Sequence, residues 1–358
     1  MNQTQMKMRL RNNISSKLNT CKNRPKKWRF FCFIFLKLGV ECAKLYVKEG
    51  IMKQFALKSY DGCEIFVTLW DDVASPKGVI QICHGLSEYG GMYDDLAEYL
   101  NSCGYICFAD DHRGHGRTES DKNRGRHHGN AFEKILKDQL FFRNWLIEKY
   151  SLPVFFYGHS YGSYIGQALA QSETDCKAIA LSGSSYCNPA FTLGAVATAP
   201  LALIAGNWRP KFTLKFFDKI YRYKDDTAPC AWLSRDPMWR QKHAEDKYSQ
   251  APISVAFTFN MFKEVSKLYS YKSASLLSPT TAIGLFSGDK DPMGGNGKGV
   301  KKLASFYKGY GVPVETHLYP DGRHEMHGEI NREEMWKDLS NFFDKYIIYS
   351  QTSIEDLM

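Results

Sequence analysis

From Gln54 onward, short apolar runs rich in β-branched and aromatic residues alternate with longer amphipathic stretches. The short runs predict strands, and the apolar residues at helical spacing in Met92–Ser102, Ala131–Tyr150 and Trp336–Ile348 predict helices. This alternation indicates an α/β fold, with a mostly parallel sheet that carries helices on both faces. The predicted strands are Cys63–Trp70, Gly78–Cys83, Tyr105–Ala109, Leu152–Tyr157, Ala178–Leu181, Ala282–Phe286 and Val314–Leu318.

The alternation stops over residues 186–277, which carry long apolar and aromatic segments instead. Their length and character predict a lid domain inserted between strands of a core formed by residues 52–185 and 278–348, with a short tail at 349–358. The aromatic residues of this insertion either pack its own core or line an apolar entrance. The candidates for substrate contact are Phe257, Phe259, Met261 and Phe262.

The charge distribution argues against a nucleic-acid partner. The 358 residues carry a formal net charge of +9, but residues 1–50 hold 12 Lys and Arg against 2 Asp and Glu, which leaves 35 against 36 in the remainder. The body of the chain is therefore almost neutral and needs no basic groove. Ten cysteines without a Cys-x-x-Cys pair indicate buried, reduced thiols rather than a disulfide framework or a zinc ribbon.

The basic segment of residues 1–50 contains one apolar run, Phe30–Leu36, which follows a cluster of Lys and Arg. Seven apolar residues are too few for a helix that spans a bilayer, which needs about 20. We interpret the segment as a disordered tail or upstream extension, with Met52 as the natural start. The alternatives are a basic and aromatic anchor at a membrane surface, or a targeting signal.

The chemistry centres on the pentapeptide Gly158–Gly162, which reads Gly-His-Ser-Tyr-Gly. It follows a predicted strand and precedes a predicted helix, Tyr164–Gln171, which is the context of a nucleophile elbow. In such a turn the glycines on either side avoid collisions, and Ser160 is the exposed nucleophile.

A serine nucleophile needs a histidine base and a carboxylate that orients the base, and on this fold both follow the serine along the chain. Two loops at the ends of later strands meet this requirement. The first offers Asp289 and Asp291, of which we favour Asp291 because it lies further round the loop. The second offers His324, which directly follows a turn after the strand.

Two other histidines near the second loop are weaker candidates for the base. His327 follows one helical turn after His324, and we expect it at the surface or at a helix start. His317 lies within the predicted strand, where a structural role is expected.

The oxyanion of an acyl-transfer reaction needs two backbone donors. The residue after the nucleophile supplies one, the amide of Tyr161. The loop after Gly78–Cys83 supplies the other, for which Leu86 is the natural candidate. An ordinary strand-to-loop turn remains the alternative for His84 and Gly85.

Two further motifs resemble binding sites but lack the necessary spacing. The cluster His112, His115, His127 and His128 with Asp110 and Asp111 lies in a glycine-containing loop without a third ligand at a compelling position, so we expect no metal. The glycine run Gly294–Gly299 lacks the phosphate-loop form and is expected to be a flexible loop. The sequence therefore predicts no cofactor.

Five ordered motifs together resemble the monoacylglycerol lipase and lysophospholipase group of α/β-hydrolases, which includes serine aminopeptidase-like members. The resemblance covers about Met52 to Tyr346 and departs at Tyr89 and Thr118, where many members have histidine and serine. The motifs are His84–Tyr89, Asp111–Gly116, Gly158–Gly162, Gly288–Asp291 and Arg323–His327.

The resemblance implies an eight-stranded sheet with a lid, and a triad of Ser160, Asp291 and His324. It also implies hydrolysis of the ester of a single-chain lipid, such as a monoacylglycerol or a lysophospholipid. A small-peptide aminopeptidase, an acyltransferase and a non-catalytic lipid-binding protein remain alternatives. The expected partner is an amphiphilic ester in the cytoplasm, with peripheral membrane contact through residues 1–50 as a further possibility and the oligomeric state open.

Overall fold

The structure is a computed structural model that describes residues 46–48, 52–172, 175–186, 189–211, 219, 221, 223 and 225–355. The interpretation of residues 1–50 as a tail or membrane anchor lies outside these residues, except for a strand at Tyr46–Lys48. In the part of the chain that is described, no helix is both long and apolar enough to cross a membrane.

A nine-stranded sheet forms the centre of the protein, with the order β1-β2-β3-β5-β4-β6-β7-β8-β9. β1 to β3 pair antiparallel, as do β3 and β5, and all later neighbours pair parallel. The predicted mostly parallel sheet is thereby confirmed. The strands are β1 Tyr46–Lys48, β2 Met52–Lys58, β3 Glu64–Trp70, β4 Gly78–Cys83, β5 Tyr105–Asp110, β6 Val154–His159, β7 Ala178–Ser182, β8 Ala282–Gly288 and β9 Val314–Tyr319.

The seven strands predicted from apolar runs are all present, each within a few residues of its predicted bounds. Every residue of β4, β6 and β8 is buried, which is why these strands have continuous apolar runs. β2 completes the eight strands that the resemblance implies, and the short β1 adds a ninth at the edge. The hydrophobic pattern did not reveal β2, because most of its side chains are half-buried or exposed.

Helices cover both faces of the sheet. Side chains of α1 and α9 pack on one face, where Leu96 and Phe343 join the core, and side chains of α2, α3 and α8 pack on the other, where Ile165 and Leu303 do. The described helices are α1 Asp94–Ser102, α2 Ala131–Tyr150, α3 Tyr161–Ala170, α4 Pro189–Ala205, α5 Pro237–Glu245, α6 Val255–Lys267, α7 Tyr271–Ala274, α8 Lys298–Gly309 and α9 Arg332–Glu355.

The segment between β7 and β8 contains α4 to α7, and its described residues form no strand. α4 and α6 pack closely, with the rings of Phe191 and Phe262 5.4 Å apart. A Cβ on Gly194 would lie 2.7 Å from the Phe262 ring, so the helices approach at a position where only glycine fits. The predicted insertion thus corresponds to a helical layer, and its role as a lid stays a prediction.

A buried ion pair fixes the loop between β5 and α2. The Arg113 guanidinium donates to both oxygens of Asp138 on α2, each at 2.7 Å, and to Asp61. Arg113 and Asp138 are only 3% and 1% exposed. Ser59 also donates to Asp138. This network ties the β2–β3 turn, the loop after β5 and α2 together beneath the edge of the sheet.

We expect Arg113→Met to lower the free energy of unfolding by about 3 to 5 kcal/mol, because it leaves the Asp138 carboxylate buried without its cation. Urea denaturation followed by circular dichroism measures the change. Lys137→Met is the matched control, since Lys137 pairs with Glu133 at an exposed site, 52% and 55% accessible, and should leave stability unchanged. Equal effects of the two substitutions would contradict this reading of the network.

Candidate active site

The turn between β6 and α3 holds Ser160 in a strained backbone conformation, with φ 50° and ψ −113°. The Ser160 amide donates to the Ser182 carbonyl at the end of β7, at 2.9 Å. A Cβ on Gly158 would overlap the carbonyl of Gly162, and a Cβ on Gly162 would overlap that of Cys83. The pentapeptide therefore needs both glycines, as the elbow prediction requires.

His324 lies beside this turn, at the end of the loop that follows β9. Its Nε2 atom is 2.9 Å from the Ser160 hydroxyl oxygen. The backbone amide of His324 donates to the Trp232 carbonyl at 3.3 Å, and the two rings lie 5.2 Å apart. The insertion between β7 and β8 therefore helps to hold the imidazole in place.

Asp291 lies on the other side of the imidazole. Its Oδ2 atom is 3.0 Å from His324 Nδ1, and its Oδ1 atom accepts the Met293 amide at 2.8 Å. Burial would lower the pKa of His324, but the Asp291 carboxylate raises it above its ordinary value. Asp291 is fully buried, so this charge acts with little screening from solvent.

Asp289 and Asp291, the two aspartates that the sequence offered for one role, have different contacts in the structure. Asp289 accepts the Asp321 amide at 2.8 Å and its side chain is 38% exposed, so it fixes the neighbouring turn. Asp291 alone of the two contacts His324. Ser160, Asp291 and His324, the three residues predicted for one site, lie in a single hydrogen-bonded chain.

The other two histidines lie away from the Ser160 hydroxyl. His317 is in β9, half-buried, with its ring stacked on Phe286 at 4.9 Å, as expected of a structural residue. His327 lies in the short 3-10 helix Met326–Gly328, in agreement with the helix-start alternative. It is only 1% exposed, so the alternative of a surface position was wrong. The reason is that this turn packs under α5 and against the Tyr93 ring.

The loop after β4, which carries Leu86, lies against the elbow because Gly162 touches the carbonyls of Cys83 and His84. His84 is fully buried, and its Nε2 atom accepts the His112 amide at 2.9 Å. The two imidazoles stack 3.6 Å apart. Burial, with the neighbouring charge of His112, holds the pKa of His84 well below its usual range, so its ring is neutral. The loop is thus anchored on the segment after β5.

The histidine cluster that the sequence analysis weighed as a metal site is held by contacts with other protein groups. His112 contacts Asp110 through Nδ1 at 2.7 Å, while its Nε2 atom lies 3.2 Å from the His84 carbonyl and 3.3 Å from Cys83. His115 Nδ1 lies 3.1 Å from the Arg113 carbonyl. Both nitrogens of His112 are therefore engaged in fixing the loop.

The lid candidates divide into two groups. Phe257 is fully buried, and its ring packs 5.6 Å from Tyr161 and 5.4 Å from His115, so it is a core residue beneath the elbow. Phe259, Met261 and Phe262 are partly exposed on α6. The sequence of α6 could not distinguish these positions. Phe257 is buried only because α6 packs against the core on the side of this residue.

Sequence reasoning missed a group of buried polar residues beneath the triad. Glu88 and Glu325 are 3% and 1% exposed, and His159 lies beside them, fully buried. Burial raises the pKa of both carboxyl groups to about 7, and the charge of Glu325 adds to the effect on Glu88. Glu88 and Glu325 belong to the motifs His84–Tyr89 and Arg323–His327, but the sequence does not indicate that the two side chains lie close together.

Comparison with known proteins places these features in a family. The model of the family described as serine aminopeptidase, S33, matches residues 74–331. The monoglyceride lipase of Rattus norvegicus is 28% identical over 59% of this chain and 66% of the relative, so the chain spans just under two thirds of its length. The monoacylglycerol lipase of Mycolicibacterium smegmatis is 24% identical over 80% of this chain and 95% of the relative.

Solved structures have the same fold. A structure described as a lipase in its open form superposes with a TM-score of 0.75 at 28% identity, and covers 83% of this chain and 99% of its own. A soluble variant of the monoglyceride lipase from Saccharomyces cerevisiae, bound to a substrate analogue, has a TM-score of 0.67 at 18% identity, and covers 86% and 99%. Because the family match spans the elbow and both loops, the chain belongs to the serine aminopeptidase S33 family of α/β-hydrolases.

Proposed function

We propose that the protein hydrolyses the carboxylic ester of a single-chain lipid, of the monoacylglycerol or lysophospholipid kind, through an acyl-enzyme. The observation that carries the proposal is the chain of contacts from the Ser160 hydroxyl to His324, at 2.9 Å, and from His324 to Asp291, at 3.0 Å. Its position on an elbow gives the serine the exposure that an attacking nucleophile needs.

The proposed reaction follows from the contacts that His324 makes with Ser160 and Asp291. His324 Nε2 accepts the Ser160 proton as the hydroxyl attacks the ester carbonyl, and then donates it to the leaving alcohol. Asp291 holds the Nδ1 proton and stabilises the imidazolium that forms. Water then enters, and His324 removes its proton as the water oxygen attacks the acyl carbon. His324 returns this proton to the Ser160 oxygen as the acyl–oxygen bond breaks and the fatty acid leaves.

The charge on the attacked carbonyl oxygen needs the donors of an oxyanion hole. The amide of Tyr161 begins α3, where the helix dipole favours a negative charge. The amide of Leu86 is the second donor. In support, the Gly162 contact with Cys83 and His84 brings the loop of Leu86 against the first turn of α3.

The preference for a lipid rests on the relatives and on the surface of α4. Relatives of this chain are described as monoglyceride or monoacylglycerol lipases. Residues 189–208 contain no charged side chain, and Leu203 and Ile204 are 89% and 82% exposed. Apolar side chains on a surface of this kind favour contact with an aggregated lipid substrate. Membrane contact through residues 1–50 and a cytoplasmic location remain predictions.

The family name also raises an aminopeptidase, and an acyltransferase would use the same triad. A substrate panel separates the three activities, with monoacylglycerols, lysophospholipids, aminoacyl amides and an alcohol acceptor. Turnover of the lipid esters to free fatty acid supports the proposal. Turnover of the amides alone, or acyl transfer without release of acid, would replace it.

We expect Ser160→Ala to lower the rate of ester hydrolysis by about 10⁴-fold or more, because alanine has no hydroxyl with which to form the acyl-enzyme. Labelling by a fluorophosphonate should disappear at the same time. Ser305→Ala is the matched control, since Ser305 is an exposed residue of α8. Labelling that persists in Ser160→Ala would rule out this nucleophile.

We expect Asp291→Asn to lower kcat by about 10³- to 10⁴-fold, because the amide cannot hold the Nδ1 proton or stabilise the imidazolium. Asp289→Asn, the control from the same loop, should change kcat by less than about threefold. Rates on a soluble p-nitrophenyl ester measure both. A large loss in Asp289→Asn with little change in Asp291→Asn would reverse the assignment.

We expect the double substitution Leu203→Ser and Ile204→Ser to lower hydrolysis of monoacylglycerol in vesicles or micelles by about tenfold. Each change removes an exposed apolar side chain from the proposed lipid-binding surface. It should weaken the free energy of binding to the lipid aggregate by up to about 2 kcal/mol. Turnover of a soluble short-chain ester should not change. The control is Met238→Ser with Ile330→Ser, which alters apolar side chains that are 76% and 60% exposed outside α4. Equal losses in both doubles would contradict a role for α4.

A further inference from the structure

The buried polar group beneath the triad joins three segments of the chain. Glu88 belongs to the loop after β4, His159 ends β6, and Glu325 follows the loop after β9. One oxygen of each carboxylate and one ring nitrogen of His159 lie within 4.8 Å of one another. The Oε1 atom of Glu88 lies 3.6 Å from His159 Nε2.

Each member is held by a partner on its other side. The Glu88 Oε2 atom accepts the Gly85 amide at 2.8 Å and the Tyr93 hydroxyl at 2.6 Å. The Trp239 indole donates to Glu325 Oε2 at 2.5 Å. His159 Nδ1 lies 3.4 Å from the Ser182 hydroxyl. Hydrogen bonds of this kind fix metal ligands in proteins, because they orient the carboxylates and set which imidazole nitrogen is free.

The imidazole of His159 supplies an independent observation. It is fully buried, and among the described residues its Nε2 atom has no hydrogen-bond partner. Because Nδ1 lies beside the Ser182 hydroxyl, Nε2 is the ring nitrogen that can offer a lone pair to a metal ion. An unpartnered buried nitrogen is costly to leave empty.

The charges of this group also lack a compensating cation. Within the described residues neither Glu88 nor Glu325 forms an ion pair with a lysine or an arginine, and their nearest basic groups are His159 and His243, each at 3.6 Å. Two buried carboxylates at this separation repel each other unless protons or a cation neutralise them. A doubly charged ion would leave the whole group neutral.

We propose that Glu88, His159 and Glu325 form a binding site for a divalent transition-metal ion, which clips together the three segments that carry the oxyanion loop, the nucleophile and the base. Two carboxylates and an imidazole are ligands that Zn²⁺ and its neighbours accept. Ligand atoms around Zn²⁺ lie roughly 3.3 to 3.5 Å apart, so small rotamer adjustments close the site. His243, 3.6 Å from Glu325, is the nearest further donor.

The ion has a structural role, since Ser160 and His324 complete the chemistry without it. Its entry into the folded protein is hindered, because all three ligands are buried. We therefore expect the ion to bind as the chain folds. The experiment must offer metal during expression and refolding rather than only to the finished protein.

The test measures the metal content of full-length protein without a histidine tag, expressed with added Zn²⁺ and analysed by plasma mass spectrometry. We expect about one equivalent of a transition metal in the parent protein and less than about 0.2 in Glu325→Gln, which keeps the shape of the side chain. The matched control is His317→Gln, which removes a half-exposed imidazole near Glu315 and Asp338 and should retain the metal.

Thermal unfolding gives a readout that is independent of activity. After refolding with chelator, Zn²⁺ should raise the Tm of the parent protein by about 5 °C or more and leave Glu325→Gln unchanged. Without metal, Glu325→Gln should be at least as stable as the parent, because it removes a buried charge. If Glu325→Gln does not fold, Glu88→Gln serves in its place.

Two results would overturn the proposal. One is less than 0.1 equivalent of Zn, Mn, Fe, Co, Ni or Cu in the parent protein, together with an unchanged Tm after refolding with Zn²⁺. In that case a shared proton neutralises the carboxylate pair. The other is equal loss of metal from His317→Gln, which would locate the ion at the surface.

Discussion

The close packing of the β6–α3 turn on the end of β4 is the constraint on which the site depends. An added Cβ at Gly162 would overlap the Cys83 carbonyl, so the first turn of α3 touches the strand beside it. That contact forces Ser160 into its positive φ, and places the start of a helix, with its free amides, next to the loop after β4. The strain at Ser160 is offset by the buried strands on both sides.

The same packing explains why so many imidazoles are buried close to the elbow. His84 stacks on His112 and holds the loop after β4, while Asp110 raises the pKa of His112 well above its ordinary value although burial alone would lower it. His324 differs, because its Nε2 atom faces the Ser160 hydroxyl. His324 contacts the Ser160 hydroxyl, whereas His84 and His112 fix loops, and only their contacts distinguish these buried imidazoles.

The sequence could predict the elements and residues that depend on local signals. The strands of the parallel sheet, the elbow glycines, and the order Ser160, Asp291, His324 follow from hydrophobic runs and from loops at strand ends. Phe257, His327 and Glu325 could not be placed in this way. Their burial comes from α5 and α6, whose positions depend on contacts between segments far apart in sequence, such as Trp239 with Glu325. Weak alternation at the sheet edge likewise hid β2.

Part of the insertion between β7 and β8 holds the segment of His324 in place. The amides of His324 and Glu325 donate to the carbonyls of Trp232 and Leu233, and Arg323 donates to Asp226 and Ala231. If residues 226–239 moved away, these bonds would break and the imidazole would lose its support. If the insertion opens as the predicted lid, it must therefore leave this part in place and move another. α4 fits that requirement, since its outward face is apolar and its main contact is with α6. In the proposed enzyme, His324 can then stay oriented while the apolar surface of α4 adapts to a lipid.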